Sequence, residues 1–348
     1  MAIDDSSVSR VTGSAGLRRL HARALHALYR LALTVILVHG SHCDAQRNDQ
    51  YPTRTVTLVV GFPAGGESDH VARLLADELG RSFGQTLVVQ NRGGAGGIIA
   101  AQVVAAAPAD GYTLLLSSMG PLSVAPPPGM QIGYRPAEDL VAVSLVAMLD
   151  LVLVVHPSIP AHSLPEFVAF VKANPGRVTY ASSGIGSASQ LAGELFKQQA
   201  GLDMVHVPYQ GAQQIRRDLI AGDVLSAFAP PASVSPQVQA GNVRALASTG
   251  ESRTALLPQL PTFAEQGYPG YHVTDWYALV APAHTPEAIL ASLNRHVVRA
   301  LNSYDVTRAF TQAGWRPAPT SMSSATSFIH DERERWRGLL FSPQASSR

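Results

Sequence analysis

In "VGFPAGGESDHVARLLADEL", Val60 to Leu79, glycine, proline and serine crowd between an apolar run and an amphipathic one. The preceding residues Thr55 to Val60 read as a short buried strand, whereas Val71, Leu74, Leu75 and Leu79 recur at helical spacing on one face. The glycine-rich turn therefore sits on a strand-to-helix corner. There the first-turn amides of the helix have no intrahelical partners and the helix dipole adds partial positive charge, so the corner is a ready anion site.

The same plan recurs further along, in "VTYASSGIGSASQLAGELFK", Val178 to Lys197. Two such corners on separate lobes can enclose one small ligand, and a cleft between lobes is a favoured place for one. Either loop alone is equally well read as a tight turn; the pair tilts the reading towards binding. Other strand-like runs, "TLVVQ", "YTLLL" and "LVLVVH", alternate with helical segments, which argues for an α/β architecture with largely parallel sheets. Helix starts are marked by Ser163 with Glu166, Ser187 with Gln190 and Thr262 with Glu265 as capping boxes, and by Thr285 as a cap ahead of Pro286. Gly120 to Pro136, "GPLSVAPPPGMQIGYRP", is too rich in proline and glycine for regular structure and reads as a surface connection. There is no repeat of solenoid period.

The 348 residues suffice for two domains, and a formal net charge of +1 offers no field for nucleic acid. Arg10, Arg18, Arg19, Arg23 and Arg30 precede the apolar run Leu31 to Val38, followed by "GSHCDAQ". This is the plan of a secretory signal peptide over 1–45, cut after Ala45. Its apolar core falls short of the ~20 residues of a membrane span. Cys43 is the single cysteine and leaves with the leader or sits beside the cut, so the mature chain forms no disulfide. "GSH" before it lacks the large apolar residue of a lipoprotein signal.

Catalytic chemistry is missing. "GGAGGIIA", Gly93 to Ala100, lacks the third glycine of a dinucleotide loop, no Lys-Ser or Lys-Thr ends a phosphate loop, and no serine sits in a Gly-x-Ser-x-Gly elbow. His70, His156, His206 and His272 are scattered without metal-ligand spacing and read as surface or structural histidines. Trp276 and Tyr277 read as core or hinge-strand aromatics.

From "YPTRTVTLVVGFPAGGESD" to "HDERERW" the chain resembles the substrate-binding proteins of tripartite tricarboxylate transporters, the Bordetella uptake gene family of periplasmic solute receptors. Especially close are "NRGGAGG", "AAPADGYTLLL", "LVLVVHPSIPAHSL", "LAGELFKQQAGLDMVHVPYQG", "AGNVRALASTGESR" and "LPTFAEQGYPGY". The resemblance implies an α/β, two-lobe periplasmic binding protein (Venus flytrap, type II), each lobe a mixed sheet flanked by helices. It implies lobe 1 over 46–148 and 249–341, lobe 2 over 149–248 and a C-terminal tail over 342–348.

Family ligand contacts carry over to Phe62, Pro63, Ala64, Gly65, Gly66, Ser68 and Asp69 in the first loop, and to Ser117 and Ser118 after "YTLLL". In the second lobe they fall on Gly184, Ile185, Gly186, Ser187, Ala188 and Ser189, and on Tyr209, Gln210 and Gly211. Backbone amides, small hydroxyls and waters then hold the carboxylate, without an arginine clamp. Three departures stand out. Glu67 replaces a small polar residue, Ala229 and Pro230 replace a polar or acidic pair, and Gln190 replaces a frequent histidine. Glu67, Pro230 and Asp275 are thus the specificity candidates. Glu67 and Asp275 either repel a polyanion and meet an ammonium or ring nitrogen, or Glu67 complements its helix N-terminus from the solvent side.

The expectation is an exported monomer without cofactor, metal or catalysis. It binds a small carboxylate, whether organic acid, amino acid or aromatic acid, and hands it to membrane permease subunits. A ligand-sensing subunit for a membrane signalling partner is the rival, and a hydrolase or isomerase on the same fold lacks its nucleophile and base.

Overall fold

The structure, a computed structural model, describes residues 51–124, 131–337 and 339. The expected leader at 1–45, with Cys43, and the tail at 342–348 lie outside the described residues. No described helix is long and apolar enough to cross a membrane.

The valine-rich run Val56–Val60 is strand β1, and the turn after it feeds helix α1, Glu67–Phe83. Val71, Leu75 and Leu79 are fully buried, and at roughly 2 kcal/mol each they hold α1 on the sheet. Gly84 ends the helix in the left-handed conformation that glycine adopts without strain. Strands β2 (Leu87–Asn91) and β3 (Thr113–Ser118) flank β1 in parallel, joined by helix α2 (Ile98–Ala105). Helix α3 (Met119–Ser123) and the long strand β4 (Leu140–Asp150) follow.

Next, the chain builds a second sheet from β5 (Val152–Val155), β6 (Val178–Ser182), β7 (Met204–Pro208), β8 (Ser226–Ala229) and β9 (Arg244–Ser248). Its helices are α4 (Leu164–Ala173), α5 (Ala188–Ala200), α6 (Ala212–Ala221) and α7 (Pro231–Gln239). Strand β10 (Thr274–Pro282), helices α8 (Glu287–Leu301) and α9 (Tyr304–Gln312), the short β11 (Arg316–Pro317) and helix α10 (Met322–Trp336) return to the first sheet. The strand orders are β11-β4-β10-β3-β1-β2 and β7-β6-β8-β5-β9. Both sheets are mixed. β10 runs antiparallel to β3 and β4, and β5 runs antiparallel to β8 and β9, because these strands arrive from the other sheet rather than through a crossover helix.

The two passages between sheets run from Asp150 to Val152 and from Ser248 to Thr274, and Thr249 joins them. Its backbone N–H donates to Leu151 O (2.8 Å) and its carbonyl accepts from Val273 N (3.1 Å). Its Oγ1 accepts from Leu151 N (2.8 Å) and donates to Val273 O (2.6 Å). Beside it the buried Asp150 carboxylate accepts from Thr274 Oγ1 and from both Arg316 Nη atoms.

Three local expectations need correction. Residues 120–123 of the proline-glycine segment form part of buried α3, whose Met119 and Leu122 pack inward and whose Pro121 carbonyl accepts from Tyr134 Oη; residues 125–130 lie outside the described residues. Pro286, not Thr285, is the N-cap of α8, since Thr285 Oγ1 donates back to Pro282 O. Thr262 and Glu265 do form a reciprocal box, but it caps a single 3-10 turn, Ala264–Gln266. Trp276 and Tyr277 are buried on β10.

Candidate functional site

Between the two sheets lies a cavity of about 270 Å³, a size suited to a small metabolite. From the six-stranded side it is lined by Phe62, Pro63, Ala64, Gly66, Glu67 and Ser68 of the β1–α1 turn, by Ser118 at the end of β3, and by Asp275 and Tyr277 of β10. The five-stranded side contributes Ser183, Ser187, Ala188 and Ser189, then Gln210 to Arg216 and Leu219 along α6. Leu151, Phe228, Ala229, Pro230, Ser233 and Val234 complete it, and the apolar members belong to or adjoin the five-stranded sheet's core.

The β1–α1 turn is held from beneath. The buried Asp69 carboxylate accepts from Gly65 N (2.9 Å), Arg73 Nε (2.9 Å) and Asn91 Nδ2 (3.0 Å), and the same Asn91 amide donates to Phe62 O. Burial alone raises an Asp pKa, but these three donors together hold Asp69 below its ordinary value. Gly65 sits at φ +78°, where a Cβ is strained. Asp69 and Gly65 thus shape the loop and do not line the cavity. Ser117 is also buried behind the wall, its Oγ donating to Ser118 O.

Much of the polar capacity of the Ser187 corner is taken up internally. Ser187 Oγ caps Gln190 N and donates to Gly184 O (2.6 Å), Gln190 Oε1 accepts from Gly186 N (2.7 Å), and Ser189 Oγ accepts from Ser183 N (3.0 Å). Ser182 Oγ and Gln190 Nε2 contact the two ring nitrogens of His206, whose burial pushes its pKa down to about 4 and keeps it neutral. Gly184, Ile185 and Gly186 lie off the cavity and meet the other sheet's loops instead. A Cβ on Gly96 would stand 2.3 Å from Ile185 O, and one on Gly120 2.8 Å from Gly186 O. Tyr209 packs its ring on the five-stranded core, whereas Gln210 and Gly211 reach the cavity.

Helices α1 and α6 begin at Gly66 and Gly211, neither with a side-chain cap, so unpartnered first-turn amides approach the cavity from both sheets. Arg216, one turn into α6, also lines it and has no ion-pair partner among the described residues. The sequence reading foresaw no arginine here. The available signal was helical spacing, because Arg216 falls on the same face as Ala212 once Gly211 is the N-cap. Phe228, Leu219 and Val234 gave no such signal, since only the strand order brings them to the cleft.

Glu67 is half-buried and turned into the cavity rather than towards solvent. Burial, reinforced by the Asp275 charge, pushes its pKa up to about 8. Burial likewise pushes Asp275 up to about 7, against the lowering effect of the Trp276 N–H on its Oδ1 (2.9 Å). The pair therefore carries less than two negative charges at neutral pH. Tyr277 stays protonated, its phenol raised by burial and by these carboxyls and paired with Ser68. No group of three or more His, Cys, Asp or Glu among the described residues is placed to hold a metal ion.

Residues 71–342 match the family model described as "Tripartite tricarboxylate transporter family receptor". Protein BugT of Bordetella pertussis is 41% identical over 293 residues, covering 84% of this chain and 90% of that protein. Among solved structures, Rhodopseudomonas palustris Rpa4515 with adipate is 36% identical with a TM-score of 0.77, covering 83% of this chain and 97% of that one. MatC from the same organism, with bound malate, is 32% identical with a TM-score of 0.77, covering 83% and 100%. The family model over most of the chain and a relative 41% identical over 84% of it, on a two-sheet α/β body with a cavity between the sheets, identify the chain as a member of the tripartite tricarboxylate transporter receptor family, a family of solute receptors rather than enzymes.

Proposed function

We propose that the protein is an extracytoplasmic solute receptor that binds a small carboxylate between two lobes and delivers it to a tripartite tricarboxylate-type permease. The observation that carries this reading is the approach of two uncapped helix N-termini, α1 and α6, to one cavity from opposite sheets. Carboxylates bound to the relatives Rpa4515 and MatC support it. The lobes are 46–148 with 249–341, and 149–248; the passages at Leu151 and Thr249 are the hinge, and closure over the solute creates the surface the permease recognises. The first-loop residues Phe62, Pro63, Ala64, Gly66 and Ser68, with Ser118, Ser187 to Ser189, Gln210 and Gly211, contact the solute, and Glu67, Pro230 and Asp275 set specificity. Residues 1–45 direct export to the periplasm.

The test is a thermal-shift screen of the purified full-length protein against mono-, di- and tricarboxylates, amino acids and aromatic acids. A solute at about 100 times its Kd adds roughly 2.7 kcal/mol to the folded state, so one class should raise Tm clearly. Absence of any shift, after extraction of co-purified solute, refutes the receptor reading. Co-purification with permease membrane subunits tests the delivery step.

A further inference from the structure

Enclosed carboxylates elsewhere in the chain are compensated. Asp69 has Arg73, Asn91 and the Gly65 amide; Asp150 has Arg316 and Thr274; Glu332 accepts from the indoles of Trp276 and Trp336 and pairs with Arg335. Glu67 and Asp275 differ. Glu67 has no hydrogen-bond partner among the described residues, and Asp275 accepts only from its neighbour's backbone N–H. No basic group on their own elements compensates them, since Arg73 is engaged by Asp69. Both line the solute cavity. From the other sheet the cavity receives Arg216, a cation without a carboxylate partner among the described residues, beside the first-turn amides of α6. The cavity wall also carries the apolar Leu219, Phe228 and Val234.

We propose that the solute is a small zwitterion with an apolar body, a monocarboxylate bearing a protonated amine, its ammonium seated on Glu67 and Asp275 and its carboxylate on Arg216 and the α6 amides. This rests on the receptor reading above and names its substrate class. Charge complementarity across the cavity decides against a dicarboxylate. An ammonium gains attraction from both acidic groups, whereas a second carboxylate is tolerated only while both hold their protons.

The two alternatives have opposite pH dependence. The ionisable side chains lining the cavity are Glu67, Asp275, Tyr277 and Arg216. Tyr277 stays protonated near neutrality, while Asp69 beneath the loop stays ionised on Arg73. Glu67 and Asp275 therefore set the response. An ammonium binds the ionised pair and expels protons, so its affinity rises with pH; a second carboxylate needs the protonated pair, so its affinity falls.

Calorimetric titration of the full-length protein uses 5-aminopentanoate and leucine, their deaminated counterparts pentanoate and 4-methylpentanoate, and adipate. An amine-bearing acid should bind about tenfold or more tightly than its deaminated counterpart, with affinity rising from about pH 6 to about pH 8. Glu67→Gln, or Asp275→Asn should the first variant fold poorly, should abolish both the preference and the rise. If a deaminated acid or adipate binds as tightly as its amine-bearing counterpart, or affinity for the amine falls with pH, the zwitterion proposal is overturned and the receptor reading stands. If none of the five binds, the zwitterion proposal is overturned, and the wider screen above decides the receptor reading separately.

Discussion

Gly120→Ala isolates the contact between the two sheets from effects within either one. Gly120 lies in α3 with ordinary helical backbone, so an alanine meets no strain of its own there, and helix propensity favours it by about 1 kcal/mol. Its Cβ would stand 2.8 Å from Gly186 O and 3.3 Å from Gly186 C, both backbone atoms of the other sheet's loop. Overpacking of that kind costs roughly 1–3 kcal/mol. If the lobes separate without solute, the cost falls on the closed form alone, and affinity drops by about 5- to 150-fold. Gly96→Ala is less informative, because φ +63° strains the backbone in either form. Calorimetric titration with a solute from the screen, beside thermal denaturation without it, separates the cases. The expected result is a weaker Kd with ligand-free Tm unchanged or higher. A lowered ligand-free Tm with unchanged Kd would refute the reasoning, since the contact would then be permanent and no closure would occur.

Thr249→Val should leave the buried Leu151 N–H without its side-chain acceptor and Val273 O without the Thr249 hydroxyl donor, costing about 2 kcal/mol in urea denaturation; an unchanged midpoint would remove Thr249 from the hinge. Asp69→Asn replaces a triply engaged carboxylate and should cost about 2 kcal/mol, with the loss present at neutral pH and vanishing as pH falls through the depressed Asp69 pKa. Glu67 and Asp275 act in the other direction. Their folded pKa values, about 8 and about 7, exceed ordinary carboxylate values, so the protein without solute should lose stability as pH rises from the acid range through about 8. Glu67→Gln should flatten that decline in Tm against pH, and an equally steep decline in the variant would assign it elsewhere.

The β1–α1 corner is legible in the sequence because strand, turn and helix are contiguous and each uses local rules: buried valines, a glycine at positive φ, an apolar face at helical spacing. The Ser187 box is legible for the same reason, although Gln190 reaches Gly186 N rather than the cap residue's own amide. What depends on strand order is not legible. β8 carries Phe228 to the cavity because it inserts between β6 and β5, and β10 turns antiparallel because it enters from the other sheet. Buried α3 was hidden for a different reason. Proline and glycine lower its local propensity, and burial of Met119 and Leu122 outweighs that.

Glu67 concentrates the limit of local reasoning into one side chain. As the first residue of α1 it complements the helix N-terminus, an effect of about 0.3–1 kcal/mol that favours the ionised form and lowers the pKa. A rise to about 8 from 4.5 requires several times that in the opposite sense, at 1.36 kcal/mol per unit, so burial beside Asp275 outweighs the dipole. Sequence shows the helix start; it does not show Asp275 arriving on β10 from more than half the chain away. A fold that engages Asp69, Asp150 and Glu332 so fully would gain stability by replacing an unengaged acidic pair with neutral side chains. Retaining that pair in the solute cavity makes physical sense when a bound molecule supplies the missing positive charge.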